Sequence, residues 1–524
     1  MRRLIFGVGV CAAAAVGAAP PVRTAAPAVT FTKDVAPILH ARCVTCHRAG
    51  EVAPMSLITY QEARPYARAI RDRVVSRAMP PWFADPHFGS FANDARLSQK
   101  EIDTIAAWVD AGAPQGDAKD MPAAPRFTDG WQLGEPDLVV ELPEVQIPAA
   151  MENGGDYFPT PNIKLDLTED RWIRALEIRP SNKEVTHHSV IFSTPAGSVM
   201  GPSGVFDVLG VWAVGTAPTQ YPDGQGRWLR KGQMLRTNLH YHPNGKPQVD
   251  RTRIGFYFGK GELKKEVVAG LAGNIAFAIP PQASDYEMRA AWIADQDVDV
   301  VSLFPHMHLR GKDMTMTATY PGGKSETLLS VPNYDFNWQL FYYPKTRIRL
   351  VKGTRVDLVA HYDNSSANKR NPDPNRRVTF GEASTAEMMF GMFEYTAADG
   401  VSPKPSTSKS RMDALLSSFK DSAYAVDIVR PRLTIPSVLY IPQSGDGAWY
   451  VPTFGMIFVS PITPVWTGKT FEFEGVLHVG AGPGDPPFTV KGARLGDGSI
   501  NASVESIDGK PVPMAEFTGH PQPR

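Results

Sequence analysis

Three kinds of side chain in this chain are grouped tightly enough to do chemistry, and the first group is the stretch CVTCH, Cys43 to His47. Two thiols at this spacing can add to the two vinyl groups of haem, and the histidine directly behind them reaches the iron. A redox dithiol needs no such histidine. A zinc site needs two further ligands, whereas the one other cysteine of the chain is Cys11. Cys43, Cys46 and His47 therefore read as the attachment site of a covalent haem c. Its second axial position is expected to fall to a methionine sulfur. Met79, in SRAMPPW, is the leading candidate because the two prolines behind it hold the chain extended; Met55 competes, and His40 and His87 are the spare imidazoles. A histidine and methionine pair raises the potential and suits electron transfer.

The second kind is histidine. Of 12 in the chain, six occupy three short strings: VTHHSVIF with His187 and His188, TNLHYHPNG with His240 and His242, and FPHMHLRG with His306 and His308. Alternate side chains of a strand share a face, so His306 and His308 point one way with Met307 opposite, and His240 and His242 have the same geometry. The adjacent pair His187 and His188 can serve one ion only at a bulge or a strand end. Any one of these residues alone is better read as a hydrogen-bonded core histidine; three such strings in one region point to metal. Imidazole suits zinc, copper, nickel and iron alike, so the histidines do not name the ion. The third kind is the thioether, offered by Met388, Met389 and Met392 in STAEMMFGMFEY, a string apolar enough to be simply a buried strand.

The elements that must position these residues differ along the chain. FTKDVAPILHAR places Val35, Ile38 and Leu39 on one helical face leading into CVTCH. SQKEIDTIAAWVDAGAP predicts a helix with Ser98 and Glu101 as capping box, Ile102, Ile105, Ala106 and Val109 as apolar face, and Gly112 and Pro114 as terminator. After the Pro-rich linker GAPQGDAKDMPAAPRF the pattern turns to alternating apolar and polar runs with frequent Gly, Pro and Asn, which reads as β-sandwich material. From SPKPSTSKSRMD onward the ligands cease. There one helix, MDALLSSFK, precedes short strands such as FEFEGVLHV that predict a small sandwich or barrel, with His478 as a core residue.

At 524 residues the chain exceeds what one core usually serves, and 43% hydrophobic with 21% charged residues is an ordinary globular composition. Lys plus Arg and Asp plus Glu are both 54, so no net charge argues for nucleic acid as a partner. The start, MRRLIFGVGVCAAAAVGAAPPV, has the layout of a secretory signal over residues 1–19 with cleavage near Ala18 or Ala19, and its apolar run is short for a membrane span. A periplasmic or secreted location follows. With Cys11 removed, no structural disulfide framework is left.

The N-terminal arrangement, residues 29–117, resembles the class I cytochrome c fold. Beyond it, the order of an HH pair, a later LHY, an HxH before a glycine, YDFNWQ at 334–339 and an EM ahead of an aromatic run resembles the copper type II monooxygenases, among them peptidylglycine alpha-hydroxylating monooxygenase and dopamine beta-hydroxylase. This resemblance spans about residues 130–397. It implies two copper ions: His187, His188 and His240 on the electron-transferring one, and His306, His308 and Met388 on the oxygen-activating one, Met388 being chosen because it follows Glu387. The implied architecture is multidomain: an all-α cytochrome c domain, two jelly-roll-like β-sandwich copper domains over 130–268 and 269–397, and a small β domain over 411–524.

The chain departs from the animal enzymes in having no disulfide framework and so resembles bacterial relatives with a haem domain in front. His242 is an extra histidine, either a hydrogen-bonding neighbour of the ligands or a competing ligand. Where the peptide-amidating branch has a substrate-binding arginine and a tyrosine, this chain has Phe304 and Met392, which argues against a peptide-glycine substrate and for a more apolar pocket. The resemblance implies hydroxylation of an aliphatic carbon of a small organic substrate by dioxygen. One electron crosses the gap between two copper domains, and the haem relays electrons from an external donor. The competing readings are a non-catalytic electron carrier or copper sensor, and a zinc hydrolase, which lacks an HExxH-like carboxylate.

Overall fold

The strand Lys265–Asn274 runs through the middle of the molecule in a computed structural model. It pairs in parallel with Gln225–Leu229 on one side and antiparallel with Met389–Ala397 on the other. It thereby joins the two regions expected as separate copper domains into one nine-stranded sheet, and it straddles the expected division at 268/269. The structure describes residues 29–521 except 128–129, 152–154, 196–206, 420, 431–432, 454–455, 477–486 and 508. The expected signal with Cys11, and His478, lie outside the described residues. No helix among the described residues is long and apolar enough to cross a membrane.

A second, four-stranded sheet packs on the Arg171–Arg179 and Arg253–Phe258 strands of the first. It is built from Asn162–Lys164, Gln233–Tyr241, Thr186–Pro195 and Val208–Ala213. The Thr186–Pro195 strand buries Ile191, and its partner buries Leu235 and Leu239, against Ile173, Leu176 and Phe256 of the large sheet. Beyond it lies a thirteen-stranded sheet that begins with Tyr286–Ile293, Gly311–Thr319, Ser325–Val331 and Arg355–Tyr362 and continues into the C-terminal region through Met456–Ile462. Eight of its strands, from Ala423–Arg430 to Lys510–Pro521, close on themselves: the first pairs with the last, and Ile462 meets Gly475. The C-terminal region is therefore a closed barrel continuous with the Tyr286–Ile293 strand of the thirteen-stranded sheet.

The expected architecture needs correction here. There is no large all-α N-terminal domain among the described residues, and the sandwiches are not separate units. Residues 31–110 contain short helices, Ala36–Arg42, Tyr60–Ala63, Ala67–Val75 and Gln99–Asp110, the longest of 12 residues. The Ser98 and Glu101 capping box forms as the sequence requires, and Ile102, Ile105 and Trp108 are the buried face. Phe31, Val35, Leu39, Leu57 and Ile70 complete a small helical cluster. Between residues 80 and 97, Pro80, Pro81 and Gly89 stop helix formation, and the aromatic residues leave that cluster. Trp82 and Phe91 pack instead on Tyr342 in the β core, at ring separations of 4.9 and 5.4 Å. The segment is stitched to the β region by its own apolar residues, which is why it does not stand as a separate bundle.

Candidate metal centre

All six paired histidines converge at one end of the space between the four-stranded sheet and the nine-stranded one. His188 and His240 are cross-strand partners, and the register slips between Thr186 and His188, so a bulge falls at the HH pair. That bulge turns His187 and His188 to the same region, with their Nδ1 atoms 3.2 Å apart. His187 lies 4.7 Å, ring to ring, from both His240 and His242, and His188 lies 4.7 Å from His240. One nitrogen each of His187, His240 and His242 fall within 4.8 Å of one another. The extra histidine thus stands in the group, where the resemblance had given its place to His188.

Asp156, which no motif singled out, organises this group. Its carboxylate sits 2.5 Å from His242 Nδ1 and 2.9 Å from His240 Nε2, and Ser384 donates to it from the far side of the cleft. Burial works against its charge, but the contacts with His240 and His242 prevail and hold its pKa well below the usual carboxylate range. A carboxylate holding Nδ1 of a histidine leaves Nε2 directed away from it, the usual support of a metal ligand. Nε2 of His187 and Nδ1 of His240 are buried without a hydrogen-bond partner. Burial also drives the pKa of His187, His188 and His240 down, which favours the neutral form that binds an ion. The donor set fits a divalent copper or zinc ion.

The second group is held by neutral acceptors. His306 ends the Val298–His306 strand and His308 lies two residues on, their rings 5.3 Å apart, while Met307 between them is buried in the core. Nδ1 of His306 meets Gln339 Oε1 at 2.9 Å, and Nδ1 of His308 meets the Ala386 carbonyl at 3.3 Å. Both acceptors fix the proton on Nδ1 and free Nε2. Burial lowers both rings, His306 to about 4. Met388 lines the same cavity as His306 and His308, whereas Met389 is fully buried in the core. Behind the ligand loops lies Glu387, whose carboxylate accepts the backbone N–H groups of His308 at 2.8 Å, Arg310 at 2.7 Å and Met388 at 3.2 Å. Burial pushes its pKa up to about 8. One carboxyl group therefore pins both the HxH turn and the methionine.

No interdomain gap separates the two groups. His188 and His306 are 6.3 Å apart, ring to ring, and Phe336 stacks on His187 at 4.4 Å while lying 5.7 Å from His308. The expectation of two sites facing each other across domains is replaced by one continuous centre. The cavity running from it encloses about 370 Å³ and has Val190, Leu271, Phe304, Phe341, Phe390 and Met392 among its walls. Phe304 and Met392, cross-strand partners, line it together, in keeping with an apolar pocket.

At the other end of the chain, Cys43 and Cys46 carry no disulfide. Burial pushes the Cys43 thiol up to about 12 and also raises Cys46, the opposite of an activated redox dithiol. His47 is lowered by burial, and its Nδ1 is buried without a partner, so the three residues fit a covalently attached haem. Among the candidates for the second axial position, His40 is engaged with the Ile58 carbonyl at 2.8 Å and His87 with Asp85 at 2.7 Å. Met55 packs on the helical cluster, and Met79 is half-buried beyond the Ala67–Val75 helix. The loop after CVTCH docks on the β region: Lys183 meets Glu51 at 2.7 Å, and Arg48 pairs with Glu51 and lies 3.9 Å over the Phe127 ring. Lys183 is four residues ahead of His187.

No protein-family model matches the chain, and no curated protein matches it either.

Proposed function

We propose that the protein is an exported copper-dependent monooxygenase that hydroxylates an aliphatic C–H bond with dioxygen, its electrons delivered through a c-type haem on the same chain. The observation that carries the reading is the convergence of His306, His308 and Met388 on one apolar cavity, with His188 on the same wall and His187, His240 and His242 grouped directly behind it. In this reading His187 and His240 with a further imidazole of their group hold one ion, and His306, His308 and Met388 hold the other. Copper bound there supplies one-electron chemistry on dioxygen, and haem on Cys43, Cys46 and His47 supplies the electrons singly from an external donor.

The chain's own part is to position and to exclude. Gln339 and the Ala386 carbonyl set the tautomers of His306 and His308, and Glu387 ties the loop of Met388 to that of His308. A thioether favours the reduced state of copper, which imidazoles alone do not. Phe304, Phe341 and Met392 would keep water from the reacting carbon. One oxygen atom enters the C–H bond and the other leaves as water, consuming two electrons and two protons. The test is metal and oxygen analysis of the purified, copper-loaded chain. The reading expects one copper for each histidine group per haem and substrate-dependent oxygen uptake. Met388→Ile should abolish the uptake and leave the haem spectrum unchanged; full turnover by that variant refutes the assignment.

A further inference from the structure

Two polar groups inside the cavity have no partner. Arg236 and Asn238 belong to the Gln233–Tyr241 strand, four and two residues before His240, so the three side chains project from one face. Both line the cavity. Among the described residues the Arg236 guanidinium makes no ion pair or hydrogen bond and its Nε is buried, while Asn238 Oδ1 is buried and equally unpartnered. Arg236 is half-buried, and its Nε–H is a buried donor without an acceptor, which is costly unless something else completes it.

The opposite wall says what the rest of that ligand is like. It comes from the nine-stranded sheet and is mostly apolar, from Phe390 beside His306 to Met392 and Leu271, with Ser302 and Glu394 as its polar members. Glu394 also reaches this cavity, but its oxygens already accept from Tyr221 at 2.8 Å and Ser302 at 2.9 Å, with Arg227 at 3.5 Å. Glu382 is exposed at the rim. Arg236 is thus the charge in the cavity that remains to be met, and the planar fork of its guanidinium matches a carboxylate. Four residues of strand separate it from His240, roughly 13 Å.

We propose that the substrate is a monocarboxylate with an extended apolar body, its carboxylate held by Arg236. Its far hydrocarbon end is then presented to His306, His308 and Met388. This rests on the hydroxylase reading and adds to it which end of the molecule reacts: the end remote from the carboxylate. The carboxylate takes no part in the chemistry and serves only to fix the register of the chain in the cavity.

The experiment is titration calorimetry of the haem- and copper-loaded chain with decanoate, decanol and decylamine, repeated on Arg236→Gln and Arg236→Lys. A charge-assisted pair predicts decanoate binding at least about tenfold tighter than decanol. Arg236→Gln should erase that margin while decanol binding stays put, and Arg236→Lys should keep part of it. Copper content and the haem spectrum of each variant report on folding. Repeating the titration after copper removal separates Arg236 from direct ligation of the ion, because the preference for decanoate should persist. Equal binding of decanol, preference for decylamine, or an Arg236→Gln variant that binds decanoate as tightly as the parent overturns the proposal. Arg236-dependent binding with no oxygen uptake on any probe refutes the hydroxylase reading and leaves the carboxylate site standing. Uptake with an Arg236-independent substrate does the reverse.

Discussion

The two histidine groups differ less in their ligands than in what stands behind them. Asp156, a charged carboxylate, touches both His240 and His242, and the His242 side chain is 44% exposed. His306 and His308 lean on a neutral amide and a backbone carbonyl and are almost wholly buried. A carboxylate behind a ligating imidazole raises its basicity and favours the higher-valent ion, whereas neutral acceptors and a thioether favour the lower-valent one. The first group also lies toward the loop that follows CVTCH, and the second opens on the apolar cavity. On the proposed reading, the contrast would divide one centre by its supporting groups into a side that exchanges electrons and a side that meets substrate, even with the facing rings 6.3 Å apart.

The sharpest way to break this division is to remove the disputed imidazole. The geometry groups His242 with His187 and His240, and it sets His188 between His240 and His306. His242→Ala should therefore cost the first group its ion, or weaken its copper affinity by about 100-fold or more, the upper end of what loss of even a supporting residue does. His188→Ala should keep that ion and disturb the second. Copper stoichiometry and pulsed EPR of the bound imidazole nitrogens read this directly. The reverse outcome, His188→Ala losing the first ion and His242→Ala retaining both, would return the third position to the HH pair.

The sealed character of the second group has a signature in the metal-free chain. An unfolded histidine titrates near 6.5, whereas burial lowers His306 to about 4. Between these values the unfolded chain binds a proton that the folded chain refuses, so stability is greatest above about 6.5 and falls as pH drops toward 4. At 1.36 kcal/mol per unit, the depressed titration of His306 accounts for about 3 kcal/mol of that loss. His306→Gln should flatten the pH dependence by this amount in chemical denaturation of copper-free protein. An unchanged slope would mean that water reaches the ring, and the contrast between the groups would weaken.

What the sequence made legible follows the range of the forces involved. The CVTCH site, the Ser98 and Glu101 cap and the three histidine strings are local patterns, and short-range stereochemistry suffices to read them. The bulge at His187 was likewise readable as the condition under which an HH pair could serve one ion. Asp156 was not legible, because it stands 84 positions before His240, and nothing nearby marks an isolated aspartate as a partner of two imidazoles. The separate domains failed for a related reason. Alternation identifies strands but not their neighbours, so the strand that crosses 268/269 looks the same whether it edges one sandwich or joins two regions. Trp82 and Phe91 sit in a segment that reads as loop, and only the position of Tyr342 reveals where they go.

The smallest expected effect tests the side of the first group nearest the loop that follows CVTCH. Lys183 and Glu51 form a contact in which each side chain is only about one-fifth exposed, 21% and 19%. Glu51 is four residues past His47, and Lys183 is four residues ahead of His187, so this pair ties the loop after CVTCH to the strand that carries the HH bulge. As a stability element it is minor. A partly exposed pair contributes up to about 1 kcal/mol, and Lys183→Met should shift unfolding by no more than this. As a docking element it matters in a way that stability does not report. If electrons enter the first group through this face, loosening the loop slows reoxidation of reduced haem in stopped-flow mixing severalfold, while the haem potential and the copper content stay as in the parent. Glu51→Gln, which keeps the shape and removes the charge, should fall between the two. Reoxidation at the parental rate in both variants would place electron entry elsewhere. The charged support behind His240 and His242 would then have to be explained by metal retention alone, and the two groups would differ in affinity and not in direction of electron flow.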